Sequence, residues 1–324
     1  MGHDSGGGRM RGALAAILFV FLFAATLGPT ATADPAAGDA PAIAGLTCLG
    51  KNEQHRYEYR HEATGIVFVL IPPGEFWMGS PDDEPYRKTD ERRHRVRITK
   101  PYLIGKYEVT NAQFRKHFRA NHNSEEYYNQ SLNGGSQPVV KVNWLDATEL
   151  CKKLGCRLPT EAEWEWAARG GEDKSVFPWG TDWPPPAKAG NFDDATGRAQ
   201  LDDHMYSDGA RAQYPDLVLP ASYDDGFAVT SPVGSFPPNG YGLHDMAGNV
   251  WEWCGDGYGE ESYASAEVAV DPMGPSLHSS AVLRGGSWCS STRRDLRCSR
   301  RIGNGTECRR VDLGFRVVLA AGTK

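Results

Sequence analysis

The stretch Ser231–Cys254, SPVGSFPPNGYGLHDMAGNVWEWC, sets the reading of the whole chain. Glycine, proline, asparagine and aspartate break every apolar run before a helical or strand period can establish itself. Trp251 and Trp253 nevertheless sit among these turn formers. From Gly170 to the C-terminus the same texture continues, interrupted only by short strand-like pieces such as AVLRGGSW (281–288) and LGFRVVLA (313–320). Loops of this length in a compact domain are functional or held by metal ions, disulfides or buried aromatics. Large aromatics at this density build the core of a loop-rich fold, a role that falls to Trp77, Trp144, Trp164, Trp166, Trp179, Trp251, Trp253 and Trp288.

Upstream, local signals are clearer. GIVFVLIPPGEFWMGS (65–80) begins as an apolar strand, breaks at Pro72-Pro73-Gly74 and resumes at Phe76, the pattern of a β-hairpin. EVTNAQFRKHFRAN (108–121) pairs Thr110 with Gln113 at capping-box spacing and places Phe114 and Phe118 on one helical face. NWLDATELCKKLG (143–155) sets Ala147, Leu150, Cys151 and Leu154 at helical spacing and stops at Gly155. LPTEAEWEWAARGG (158–171) repeats the logic, with Thr160 and Glu163 as a second capping box and Gly170-Gly171 as the stop. The expected fold is a single α+β domain with little regular structure.

The chain has 324 residues and a formal net charge of -6, which argues against a general nucleic-acid binder. At the N-terminus, Arg9 and Arg11 precede an uncharged apolar run from Gly12 to Leu27, followed by the small residues Ala31-Thr32-Ala33. This reads as a cleaved export signal over 1–33, since the run falls short of the roughly 20 residues that span a bilayer. A leader over 34–60 and a domain over 61–322 follow, with a periplasmic or secreted location and no lasting membrane insertion. Outside the cytoplasm the seven cysteines can oxidise, and their odd number leaves at least one unpaired within the chain.

In order, IPPGEFWMGS, YEVTNAQF, RLPTEAEWEWAARGG, FPWG, the Ser231–Cys254 stretch, LRGGSW and LGFRVV resemble the formylglycine-generating enzyme, or sulfatase-modifying factor, family from about Ile66 to Leu319. The resemblance implies a C-type-lectin-like fold. It does not fix the reaction, because the fold also serves sulfoxide synthases, an oxidase of pyoverdine maturation and ligand-binding proteins. It further implies structural Ca2+, an ion that takes six to eight oxygen ligands. By resemblance one calcium site falls on Asn191, Phe192, Asp225 and Phe227, and a second on Asp245, Gly248, Val250 and Glu252 with Glu91 upstream.

Formylglycine generators resemble one another in carrying, just after Gly-Gly-Ser, two cysteines separated by four intervening residues, and these bind Cu(I). Here Cys289 stands near the first position, but Arg294 occupies the second and the next thiol is Cys298. Two soft thiolates must ligate one soft ion, so the expected copper chemistry is absent, and the scattered histidines provide no iron site. Cys289 and Ser287 remain the candidate catalytic residues, and Glu252 or Asp256 a candidate acid–base group. The arginines of the last loop, notably Arg293, Arg294 and Arg297 beside Trp288, suggest a surface for an anionic protein or small-molecule ligand. Three functions are therefore open: an exported maturation factor or oxidoreductase, a non-catalytic binding module, and a true formylglycine generator using Cys289.

Overall fold

The computed structural model describes residues 40–118, 126–201, 213–260, 267–275 and 279–321; the stretch 1–33 expected as an export signal and the first residues expected as a leader lie outside them. These residues fall in one compact unit, Ala36–Lys324, and none of their helices is long and apolar enough to cross a membrane.

Strands β1 (Leu46–Lys51), β2 (Tyr57–His61), β3 (Val67–Ile71), β6 (Tyr102–Gly105) and β14 (Val318–Ala320) form an antiparallel sheet in the order β1-β2-β3-β6-β14. The stretch read as a leader is therefore part of the domain from Leu46 onward. Its alternation in β1, one half-buried residue then one exposed, is the period-two signature of an edge strand with one face on the core. A second sheet joins β10 (Ala269–Val270), β5 (His94–Ile98) and β4 (Gly74–Met78). A third takes β12 (Arg301–Gly305), β11 (Ser280–Arg284), β9 (Trp251–Gly257) and β13 (Leu313–Gly314). The short pair β7 (Glu126–Tyr127) and β8 (Gln130–Ser131) completes the strands.

The hairpin expected around Pro72-Pro73 does not form. β3 pairs with β2 and β6, whereas β4 pairs with β5, so the two runs belong to different sheets. Neither proline offers an N–H to a ladder, and the chain uses that break to change sheets rather than to fold back.

The three expected helices are present as α1 (Asn111–Arg115), α2 (Trp144–Lys153) and α3 (Glu161–Ala168), and α4 (Ala195–Gln200) is added. Both capping boxes are made: Thr110 with Gln113 and Thr160 with Glu163, each side chain closing on the other's backbone N–H. All eight residues of α3 are buried, including Glu161, Glu163 and Glu165, and the helix lies against β4, β5, β9 and β11.

Three buried carboxylates on one short helix need partners, and the sequence supplies arginine. Glu165 Oε1 accepts from Arg169 Nη2 at 2.7 Å and from the Gly79 N–H at 2.9 Å, and its Oε2 accepts from Arg284. Glu161 accepts from Arg301 Nε at 2.8 Å and Nη2 at 3.0 Å, and from Arg284 Nη1 at 3.3 Å. Glu163, nearer the surface, takes Arg157 at 2.6 Å through both oxygens. Burial alone would push the Glu165 carboxyl up, but Arg169 and Arg284 outweigh it and hold it below the usual carboxylate range.

The tryptophans pin the loops, as their placement in the motifs implies. Trp253 is fully buried and donates its indole N–H to Val142 O at 3.0 Å. Trp166 donates to Pro72 O at 3.0 Å and Trp144 to Cys254 O at 2.9 Å, so each indole ties segments far apart in sequence.

Removing one partner of a buried pair leaves an uncompensated charge, at a cost of about 3–5 kcal/mol, whereas an exposed pair contributes at most about 1 kcal/mol. Glu165→Ala is therefore expected to lower unfolding stability by about 3–5 kcal/mol. Arg309→Ala, which removes a half-exposed partner of Asp146, should change it by less than about 1 kcal/mol. Denaturant titration of both variants checks this, and equal losses would overturn it.

Candidate functional site

β11 delivers the chain to the turn Gly285-Gly286-Ser287-Trp288-Cys289. Both glycines are left-handed, at φ 96° and 74°, and a Cβ on Gly286 would meet Asp295 O at 2.9 Å. The tight bend sets Ser287 inward, where its Oγ donates to Asp312 Oδ2 at 3.1 Å and accepts from the Cys289 N–H at 3.4 Å. Asp312, buried, also accepts from Arg310 Nε at 2.9 Å. Ser287 is thus partnered by a carboxylate, not by an imidazole, and no hydrolase triad is assembled. The Trp288 N–H donates to Asn249 O at 2.9 Å, and its ring meets Tyr127 edge-on at 5.3 Å.

Cys289 is half-buried at the end of this turn. Burial first, then the Asp312 charge, pushes its thiol well above the ordinary range, with Arg310 opposing. The thiol stands beside an Arg310–Asp312–Ser287 chain of hydrogen bonds.

Two loop cradles support the turn from behind. In the first, the fully buried Asn191 donates through Nδ2 to Val229 O at 2.8 Å, and its Oδ1 has no hydrogen-bond partner. Asp225 accepts from the Phe192 N–H at 2.8 Å and the Phe227 N–H at 3.0 Å. Burial and the neighbouring Asp194 raise its carboxyl to about 8. In the second, Asp245 accepts from the Gly234 N–H at 2.7 Å through Oδ2, while its buried Oδ1 also has no partner. Gly248 approaches so closely that a Cβ there would lie 2.3 Å from Asn191 O, which joins the two cradles back to back.

Glu91 is not part of this second cradle. It is buried elsewhere, bound by Arg297 Nη1 at 2.6 Å and Nη2 at 2.8 Å. The acidic residue that reaches the cradle is Glu108, buried between Asn249 Nδ2 at 2.6 Å and the Val250 N–H at 3.2 Å. Burial, then Asp245 and Glu252, push its carboxyl well above the usual range. Glu108, Asp245 and Glu252 face one cation, Arg316, which grips Glu252 at 2.7 Å through both oxygens. Ionised, three carboxylates against one guanidinium leave two negative charges uncompensated, a deficit that a divalent cation matches. Two orphaned buried acceptors and this charge excess fit an oxygen-seeking ion such as Ca2+. Among the described residues no three His, Cys, Asp or Glu side chains converge closely enough to hold an ion by themselves, so backbone carbonyls would have to complete the set.

The Sulfatase-modifying factor enzyme 1-like domain matches residues 54–321. The chain belongs to the sulfatase-modifying factor family. The formylglycine-generating enzyme of Bos taurus is 29% identical over 94% of this chain and 93% of its own. The inactive C-alpha-formylglycine-generating enzyme 2 of Mus musculus is 31% identical over 79% of this chain and 86% of its own. Among solved structures, PvdO from Pseudomonas aeruginosa superposes with a TM-score of 0.59 at 27% identity, covering 86% of this chain and 99% of that one.

Within this family framework the remaining candidates can be placed. Cys298 is buried in the apolar cluster with Trp164 and Val282, beside Arg169 and Glu165, whereas Cys289 packs on the cluster of Leu132, Val140 and Trp288. These two thiols belong to different parts of the core. None of the seven cysteines is bonded to another. The arginine surface also dissolves on inspection. Arg297 has no exposure, being held by Glu84 at 2.6 Å as well as by Glu91, so it cannot meet a ligand. Arg294 and Arg300 share Asp295, at 3.3 and 3.2 Å. Arg293 alone of the three proposed ligand arginines has a buried Nε without a partner, and its guanidinium lies 5.9 Å from the Phe177 ring centre. Glu252 is fully engaged by Arg316 and Trp164, and Asp256 faces a separate cleft, so neither stands at the Ser287–Cys289 turn.

Removing the Asp312 charge should make the Cys289 thiol more acidic, and removing Arg310 less so. The pH midpoint of Cys289 alkylation is therefore expected to fall in Asp312→Asn and to rise in Arg310→Ala. Alkylation rates read by mass spectrometry across pH check this; shifts of opposite sign would refute the electrostatic assignment.

Proposed function

We propose that this protein is an exported oxidoreductase or maturation factor that acts at the Ser287–Cys289 turn on a protein or small-molecule substrate, without a two-cysteine copper site. The observation that carries the reading is the single thiol of Cys289 set beside the Ser287–Asp312–Arg310 chain. A lone thiol cannot supply the paired soft ligands that monovalent copper requires. The half-exposed Arg310 offers a guanidinium to an anionic substrate group, whereas Trp288, 4% exposed and packed with Leu132 and Val140, lies in the core and drops out of the ligand surface expected from the sequence. That relatives of similar identity include both formylglycine-generating enzymes and one named inactive agrees with a family in which the reaction is not fixed by the fold. Arg293, with its unpartnered Nε, favours a second reading in which the same loop binds an anion without turnover.

Calcium belongs to this reading as a structural ion. Asn191 and Asp225 with the carbonyls of Phe192 and Phe227 would hold one ion. Asp245 and Glu108 with the carbonyls of Gly248 and Val250 would hold the other, while Glu252, expected in this set from the sequence, stays bound to Arg316 and Trp164. The ion supplies neutralisation of buried carboxylates, which rigidifies the loops behind the turn. Export rests on the N-terminal apolar run and its small-residue site.

Oxygen uptake with a cysteine-containing peptide and with low-molecular-weight thiols, in wild type and Cys289→Ser, tests the catalytic reading. The expected result is uptake by wild type that survives a Cu(I) chelator and is lost in the variant. Uptake that requires copper would indicate the formylglycine reaction instead, and none in either protein would favour the binding module. Chelation of calcium is expected to lower the unfolding midpoint, by about 5–10 °C if the ion is present at about 100 times its Kd. Glu108→Gln should blunt that response while Glu91→Gln leaves it intact. A midpoint indifferent to chelator removes the calcium assignment.

A further inference from the structure

Helix α2 ends in a Schellman motif. The Cys156 N–H donates to Cys151 O at 2.9 Å and the Gly155 N–H to Lys152 O at 3.3 Å, with Leu154 as the cap and Gly155 left-handed at φ 66°. This geometry dictates which side chains meet: the residue two past the cap lies back over the one three before it. That contact is usually apolar, but here both positions are cysteine. The Cys156 thiol donates to Cys151 O at 3.4 Å, and the two side chains share a hydrogen bond.

Both cysteines line a cleft of about 760 Å³ whose walls include Tyr102, Leu158, Met273 and Pro275. Its size falls in the range of small-molecule sites, roughly 300–1,000 Å³. Cys156 is half-buried, while Cys151 behind it is 1% exposed. Lys100 and Lys152 stand exposed at the rim, and the Arg157 guanidinium lies beside the pair. The acidic residues of the cleft are Glu163, held by Arg157, Asp256, held by the N–H groups of Glu161 and Gly274, and the exposed Asp271, which accepts from the Thr99 N–H at 2.8 Å. Three cations and three carboxylates thus line the cleft, which selects for neither sign of charge.

We propose that Cys151 and Cys156 are a redox-active dithiol that closes to a disulfide by exchange with a low-molecular-weight disulfide admitted to this cleft. Cys156, the reachable thiol, attacks one sulfur of the incoming disulfide. The other half leaves as a thiolate, and a mixed disulfide remains on Cys156. Cys151 then attacks the Cys156 sulfur and expels the second thiolate. The two protons of the protein thiols pass to the two leaving groups, so the protein pair is oxidised and one small disulfide is reduced to two thiols. Cys156 attacks and Cys151 resolves because Cys156 is half-buried and Cys151 is 1% exposed; the Cys156 side chain and then burial also hold the Cys151 thiol above its ordinary range. This site is separate from the Ser287–Cys289 turn and stands or falls independently of it.

The full chain is reduced, desalted and incubated with oxidised glutathione, then alkylated in denaturant and mapped by tryptic mass spectrometry. The expected product is a Cys151–Cys156 link that reverses with a thiol reductant. Cys151→Ser should stop at a glutathionyl adduct on Cys156, and Cys156→Ser should leave Cys151 unmodified. The proposal is overturned if both cysteines of wild type remain alkylatable, if either pairs with another of the seven, or if Cys151→Ser carries no adduct. Wild-type mapping needs no substitution, so a variant that fails to fold does not remove the test.

Discussion

The structure depends on getting the carboxylates of α3 out of water without leaving them alone. A helix of the sequence EAEWEWAA has no polar face to spare once all its residues are buried, and its burial is tolerable only because arginines from β11, β12 and its own C-terminus arrive at the right places. Buried ion pairs of this kind add little net stability compared with apolar packing, but they penalise every arrangement in which a partner is missing. In a molecule with so little regular structure, that penalty restricts which loops can lie over the helix. Arg284 is the junction: it touches Glu161 and Glu165 on α3 and also donates to Cys298 O at 2.7 Å and Ser299 O at 3.1 Å. The strand that leads to the Gly285–Gly286 turn is thereby anchored one residue before the turn begins.

This changes the meaning of the arginine-rich tail. In sequence it looks like a basic surface, yet Arg297, Arg301 and Arg316 are fully buried, each with a carboxylate partner. Arg297 and Arg301 hold acidic segments from the first half of the domain, and Arg316 holds Glu252 of β9. Of the remaining arginines, Arg310 is half-exposed beside Asp312, and Arg293 lies near the Phe177 ring.

Features set by neighbours a few residues apart were legible in the sequence. The capping boxes at Thr110 and Thr160, the left-handed stop at Gly155 and the pinning tryptophans follow from local geometry, and the ordered motifs carried the family and its fold. Features set by distant partners were not. The break at Pro72-Pro73 is the same in sequence whether the chain folds back or changes sheets. Glu91 and Glu108 are both acidic residues upstream of the same loop, and only topology decides that one meets Arg297, 206 positions away, while the other meets Asn249. Glu108 left one signal: a lone charge between Tyr107 and the buried Val109 in a segment otherwise entering the core. Likewise, the residue types of β1, LTCLGK, do not alternate apolar with polar although their burial does, so the strand does not stand out from a leader in the sequence.

Asn249 gives these loops a shared fate. Its side chain receives Asn191 at 3.2 Å and donates to Glu108, its N–H donates to Asn191 O at 2.9 Å, and its carbonyl receives the Trp288 N–H at 2.9 Å. One residue therefore splices both carboxylate loops to the floor beneath Cys289. Damage far behind that floor would reach it as blurred positioning rather than as lost chemistry, so the turn at Cys289 keeps its shape only while the whole rear scaffold is intact.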